Sequence, residues 1–82
     1  MGNKVIDIRR AVYRWLYERR VDSPQLYFAA PELQAVGRDP ELTAALIFGL
    51  EMGHLEKRRG HWRLTAQGML FAETENYVEA SD

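Results

Sequence analysis

The densest grouping of chemically capable side chains is basic: Lys57, Arg58, Arg59, His61 and Arg63 fall within seven residues around Gly60. Lysine and arginine at that density can neutralise phosphate oxygens, the sequence-independent part of nucleic-acid binding. The same charges could equally keep a hairpin tip hydrated and block edge-to-edge strand pairing. A second grouping, His54, Glu56 and His61, has the residue types of a zinc site. The neighbouring arginines oppose a bound cation, so neither a metal nor another cofactor is expected.

Catalytic chemistry finds no foothold. The chain has no cysteine, no glycine-rich phosphate loop and no Gly-x-Ser-x-Gly elbow. Ser23 and Ser81 fall in a turn and a tail, and the carboxylates are scattered. An enzyme is not expected. The 11 basic and 12 acidic residues leave a net charge of −1. Domains that only clamp nucleic acid are usually clearly basic, so any basic surface here must be local.

The elements that position these residues can be read from periodicity. With 82 residues, one domain spanning 1–82 is expected. Residues 4–20 form a first helix, with Val5, Ile8, Val12, Trp15, Leu16 and Arg19 on one stripe and Arg10, Arg14 and Glu18 opposite. Ile6, Tyr13 and Tyr17 make a second seam beside that stripe, read first as part of one broad buried face and alternatively as a dimer contact. Pro24 ends the helix, and Leu26-Tyr27-Phe28 reads as a short edge strand. Pro31 and Glu32 open a compact helix over 30–36 that Gly37 closes. Asp39-Pro40-Glu41 opens a helix over 39–52 that stops at Gly53. Period-two alternation of Leu55, Trp62 and Leu64 about Gly60 gives a β-hairpin over 54–64. Thr65 caps a last helix over 66–78, with Met69, Leu70 and Phe71 facing at least partly inward, and the tail 79–82 should fray. The fold class is therefore mainly α with a small β-hairpin (α+β).

That order, and the residues around the hairpin, resemble a known superfamily. Leu46 followed by Glu51-Met52-Gly53-His54-Leu55-Glu56-Lys57, and then Trp62-Arg63-Leu64-Thr65-Ala66-Gln67-Gly68, is similar to the winged helix-turn-helix domains of MarR-type and PadR-type regulators. The resemblance in order covers about residues 5–78, and the informative motif only the hairpin and its flanks. It departs from the family at Gly49, where a large apolar residue is usual, and in its short hairpin tip. The resemblance implies a small transcriptional regulator that binds double-stranded DNA, the helix 39–52 reading bases and the hairpin touching phosphate. Its DNA-contacting residues would be Arg38, Thr43, Lys57, Arg58, Arg59, His61 and Arg63, with Arg10 and Arg14 as possible extensions.

On a wheel of the 39–53 helix, Leu42, Ala45, Leu46, Gly49 and Gly53 face inward, with Leu50 at their edge. Thr43, Ala44, Ile47, Phe48 and Glu51 face outward, an apolar and acidic surface that is either buried on a second side under the C-terminal helix or another copy, or fits a protein partner better than a phosphate-lined groove. An interaction module using this face is thus the alternative function. Tyr13, Tyr17, Ile47 and Phe48 are the expected protein-interface residues. A domain this small has little interior, so a homodimer through the terminal helices 4–20 and 66–78 is expected. The apolar run from Ala44 to Leu50 is too short to span a bilayer, so no membrane association is expected. The N-terminus has no apolar signal region, which makes a cytoplasmic location the expectation.

Overall fold

A computed structural model describes residues 4–78; the tail 79–82, expected to fray, lies outside the described residues. The order is α1 (Lys4–Asp22), β1 (Phe28–Ala29), α2 (Ala30–Leu33), α3 (Glu41–Glu51), β2 (Leu55–Arg58), β3 (His61–Leu64) and α4 (Ala66–Thr74). The class is α+β, four helices with a three-stranded antiparallel sheet in the order β1-β3-β2. Phe28 pairs with Trp62, and the hairpin pairs Leu55 with Leu64 and Lys57 with Trp62.

The long first helix is the organising element: it packs against α3, α4 and β3. Asp7 in its first turn and Arg19 and Arg20 in its last complement the helix dipole. It runs two residues past the expected end, because the Ser23 amide still reaches the Arg19 carbonyl at 2.7 Å before Pro24 stops the ladder. Val12, Tyr13 and Leu16 are buried. They meet Leu42, Ala45 and Leu46 of α3, Leu55, Trp62 and Leu64 of the hairpin, Leu33 and Ala72 in one core. Each large aliphatic side chain fully enclosed here, such as Leu33 or Leu64, contributes about 1.5–3 kcal/mol.

Helix ends explain most departures from the expected boundaries. The second helix is only four residues long. Beyond Leu33, residues 34–36 continue in i→i−3 bonds of 3.0–3.4 Å, so the chain tightens into 3₁₀-like turns. Glu32 returns to the Ala29 amide at 2.9 Å, but an alanine cannot reciprocate. The third helix starts at Glu41, with Asp39 accepting from the Thr43 amide at 3.1 Å. It ends in a Schellman motif, in which the His54 amide donates to Gly49 O (2.8 Å) and the Gly53 amide to Leu50 O (3.2 Å). The fourth helix ends the same way four residues before its expected end: Asn76 takes φ 58°, and the Tyr77 amide donates to Ala72 O at 2.8 Å.

Gly49 is a packing requirement. A Cβ built there would lie 2.5 Å from Leu55 Cγ and 3.1 Å from the Tyr13 hydroxyl. A larger side chain has no room here.

Candidate nucleic-acid interface

The hairpin carries the basic cluster on a two-residue turn. Arg59 and Gly60 take φ 53° and 79°, both positive as a type I′ turn requires. That turn fixes the register: Arg58 opposes His61, and Glu56 opposes Arg63. Leu55, Trp62 and Leu64 therefore point into the core, while Glu56, Arg58, His61 and Arg63 line the outer face.

Lys57, Arg58, Arg59 and His61 are all exposed. The Lys57 ammonium sits 5.1 Å from the Trp62 ring centre and the Arg58 guanidinium 5.2 Å from that of Tyr27. These contacts steady the side chains without neutralising them. None of the four is in an ion pair among the described residues.

Arg63 differs from its neighbours. Its Nη2 donates to Glu56 Oε2 at 2.6 Å and its Nη1 to Pro24 O at 2.7 Å. Its guanidinium stacks 4.7 Å from the Tyr27 ring centre, whose hydroxyl donates to the same Glu56 oxygen at 2.8 Å. These donors hold the Glu56 carboxyl below its ordinary pKa, Tyr27 first and Arg63 second. Arg63 is thus neutralised and pins the 24–27 loop to the hairpin, a different role from the phosphate contact expected of it.

The third helix presents Thr43, Ala44, Ile47, Leu50 and Glu51 to solvent. Ile47 is 49% and Leu50 45% exposed. The Thr43 hydroxyl donates to Asp39 Oδ1, which occupies a group that could have read a base edge. Arg38 is exposed in the turn before the helix. Phe48, expected outside, is half-buried: the Arg9 guanidinium covers its ring at 3.7 Å, and Phe71 lies 6.3 Å away.

The expected interface role of Tyr13 is corrected by its position. Tyr13 is fully buried within its own chain, and its hydroxyl shares a 2.7 Å hydrogen bond with His54 Nδ1. Burial raises the Tyr13 pKa well above its ordinary value and lowers that of His54, with Arg9 adding to the latter. His54 stacks on Phe71 at 4.2 Å, with Phe48 and Tyr13 edge-on. Tyr17 is half-buried, and its hydroxyl donates to Glu73 of α4 at 2.5 Å, which raises its pKa. The two terminal helices therefore pair within one chain, through the very residues expected to join two chains.

His54 and His61 do not converge: one is buried beneath α4 and the other exposed beside the tip, its Nδ1 3.0 Å from Arg59 O. Among the described residues no group of three His, Cys, Asp or Glu side chains could hold a metal. Arg10 and Arg14 are exposed on α1, and Arg10 reaches over Tyr77 of the C-terminal segment at 5.7 Å. Sequence reasoning missed Tyr27, Glu56 and Arg9 as partners. Only the Glu56–Arg63 pairing had a signal, since a two-residue turn at 59–60 dictates that register.

No helix among the described residues is long and apolar enough to cross a membrane. Comparisons with known protein families, curated proteins and solved structures find no match.

Proposed function

We propose that this chain is a winged-helix DNA-binding module of the kind found in transcriptional regulators, holding duplex phosphate through its basic β-hairpin. The observation that carries the proposal is the exposed cluster Lys57, Arg58 and Arg59, free of carboxylate partners among the described residues and held on a rigid type I′ turn. The element order supports the reading. So does the resemblance of its hairpin flank, in which Thr65 and Gly68 each have a physical job, to MarR-type and PadR-type regulators. Thr65 Oγ1 accepts from the Gly68 amide at 3.0 Å and opens α4, while a Cβ at Gly68 would strike the His54 carbonyl at 2.2 Å.

Binding of this kind is governed by charge more than by sequence. Three phosphates neutralised by one hairpin give a salt slope of about −3, or roughly 40-fold weaker binding between about 50 and about 200 mM salt. The face of α3 offers little direct readout, because Thr43 is tied to Asp39 and Ile47 and Leu50 are apolar. Replacing both Arg58 and Arg59 with alanine should reduce the slope by about 2 and weaken all sequences alike. A duplex titration followed by fluorescence anisotropy reads both effects.

Ile47 and Leu50 favour a second reading, a winged-helix module that binds a protein through the α3 face. Under it, Leu50→Asp would abolish association with that protein while DNA affinity stayed at the no-binding level of the wild type.

A further inference from the structure

The outward stripe of α1 carries a charge pattern that is complementary to itself when reversed. Lys4, Asp7, Ala11, Arg14 and Glu18 recur at alternating spacings of three and four, and so form one straight seam. The four charged residues are exposed and Ala11 is half-buried. The seam lies opposite the buried face formed by Val12, Tyr13 and Leu16. Its middle borders a shallow groove of about 270 Å³ that Trp15 and Val36 also line.

Along the seam the signs run plus, minus, neutral, plus, minus. Turned end for end about Ala11, the seam sets Lys4 against Glu18 and Asp7 against Arg14, and repeats both pairs across the two-fold axis. A parallel pairing would set every charge against its like. Within the single chain Asp7 suits the helix N-terminus, but the other three charges are poorly placed. Lys4 sits at the positive end of the helix dipole. Arg14 and Glu18 are in the weaker i,i+4 order, and among the described residues Glu18 makes only an exposed 3.6 Å contact with Arg19. Ala11 at the axis allows the two backbones to approach closely.

We propose that a second copy of this chain docks on this seam, α1 against α1 in antiparallel sense, as an isologous contact. The inference is independent of the DNA reading and is measured without DNA. Exposed ion pairs contribute little each, and a contact along one helix falls short of the ~800 Å² per partner of stable complexes. The dimer is therefore weak and salt-sensitive, with a dissociation constant on the order of 100 µM at low salt.

Sedimentation equilibrium on the full chain tests it through charge exchange. Asp7→Arg alone and Arg14→Asp alone should each weaken self-association at least about tenfold, since two attractions become two repulsions. The double variant Asp7→Arg/Arg14→Asp should recover it. An equimolar mixture of the two single variants should form a heterodimer, because each then supplies what the other lacks. Circular dichroism of every variant confirms the folded helix. A wild type that stays monomeric at several times that concentration would overturn the proposal. So would single variants that dimerise like the wild type, or a loss that neither the double variant nor the mixture restores.

Discussion

Replacing Tyr13 with phenylalanine removes a single oxygen from the most enclosed part of the protein and leaves the ring contacts in place. Tyr13 is 0% and His54 3% exposed, and the hydrogen bond between them is 2.7 Å long. The edge-on contacts of the Tyr13 ring with Phe71 and Tyr77 do not involve the hydroxyl. The change therefore isolates one buried hydrogen bond and leaves an imidazole nitrogen without its partner, at a cost of about 1–3 kcal/mol. For a domain of this size each kcal/mol lowers Tm by about 4–8 °C, so a fall of roughly 5–20 °C is expected at neutral pH. Acid should weaken the same junction in the wild type. Burial first, and Arg9 second, hold the folded-state pKa of His54 below its ordinary 6.5. The unfolded chain regains a pKa of about 6.5 and binds the proton more readily, so stability is full above that pH. It declines as pH drops from 6.5 through the folded-state pKa, and the His54 contribution is constant below it. The groups facing His54 are Arg9 and Tyr13 from α1, Phe48 from α3 and Phe71 from α4, none of them an acid that could offset the new charge. Thermal melts by circular dichroism at pH 7.5 and 5.5 read both effects. An unchanged Tm for Tyr13→Phe, or a wild type more stable at pH 5.5, would refute the argument.

Other substitutions test the packing around α3. Gly49→Ala should lower the urea midpoint despite the better helix former: a Cβ 2.5 Å from Leu55 costs about 1–3 kcal/mol in overpacking, against a propensity gain of up to about 1 kcal/mol. Phe48→Ala should cost about 1–3 kcal/mol, because the ring lies beneath Arg9 and beside His54 and Phe71. Ile47→Ala, one residue earlier but 49% exposed, should stay within about 0.5 kcal/mol of the wild type. Equal effects of these last two in a denaturant titration would contradict the inside–outside assignment of α3.

What the sequence makes legible is local. The start of α3 at Asp39-Pro40-Glu41, its stop at Gly53 and the hairpin about Gly60 are written in capping and turn residues, and each lies within two residues of its expected place. The end of α4 was missed by four residues, although asparagine tolerates the positive φ that Asn76 adopts and could have marked it. The start of the second helix at Ala30-Pro31-Glu32 was legible, but its length was not: after four residues it tightens into 3₁₀-like turns that carry no amphipathic period. Tyr13 and Phe48 were misplaced for a common reason. A wheel assigns one buried arc to each helix, but α1 is covered by both α3 and α4, which widens its arc to include Tyr13. Phe48 is likewise covered by Arg9, a long side chain arriving from another helix. The basic cluster was visible in the sequence. The withdrawal of Arg63 from it became visible only when strand register brought Glu56 opposite and the 24–27 loop supplied Tyr27 and the Pro24 carbonyl.

The proposal that the hairpin holds duplex phosphate is tested most directly by a single titration series. Wild type and Arg58→Ala/Arg59→Ala are titrated against a mixed-sequence duplex from about 50 to about 200 mM salt, where three neutralised phosphates predict roughly 40-fold weaker wild-type binding. The double variant should bind more weakly at the lowest salt and lose most of that dependence. Absence of wild-type binding at the lowest salt, or a salt slope that the double substitution leaves unchanged, would contradict the account.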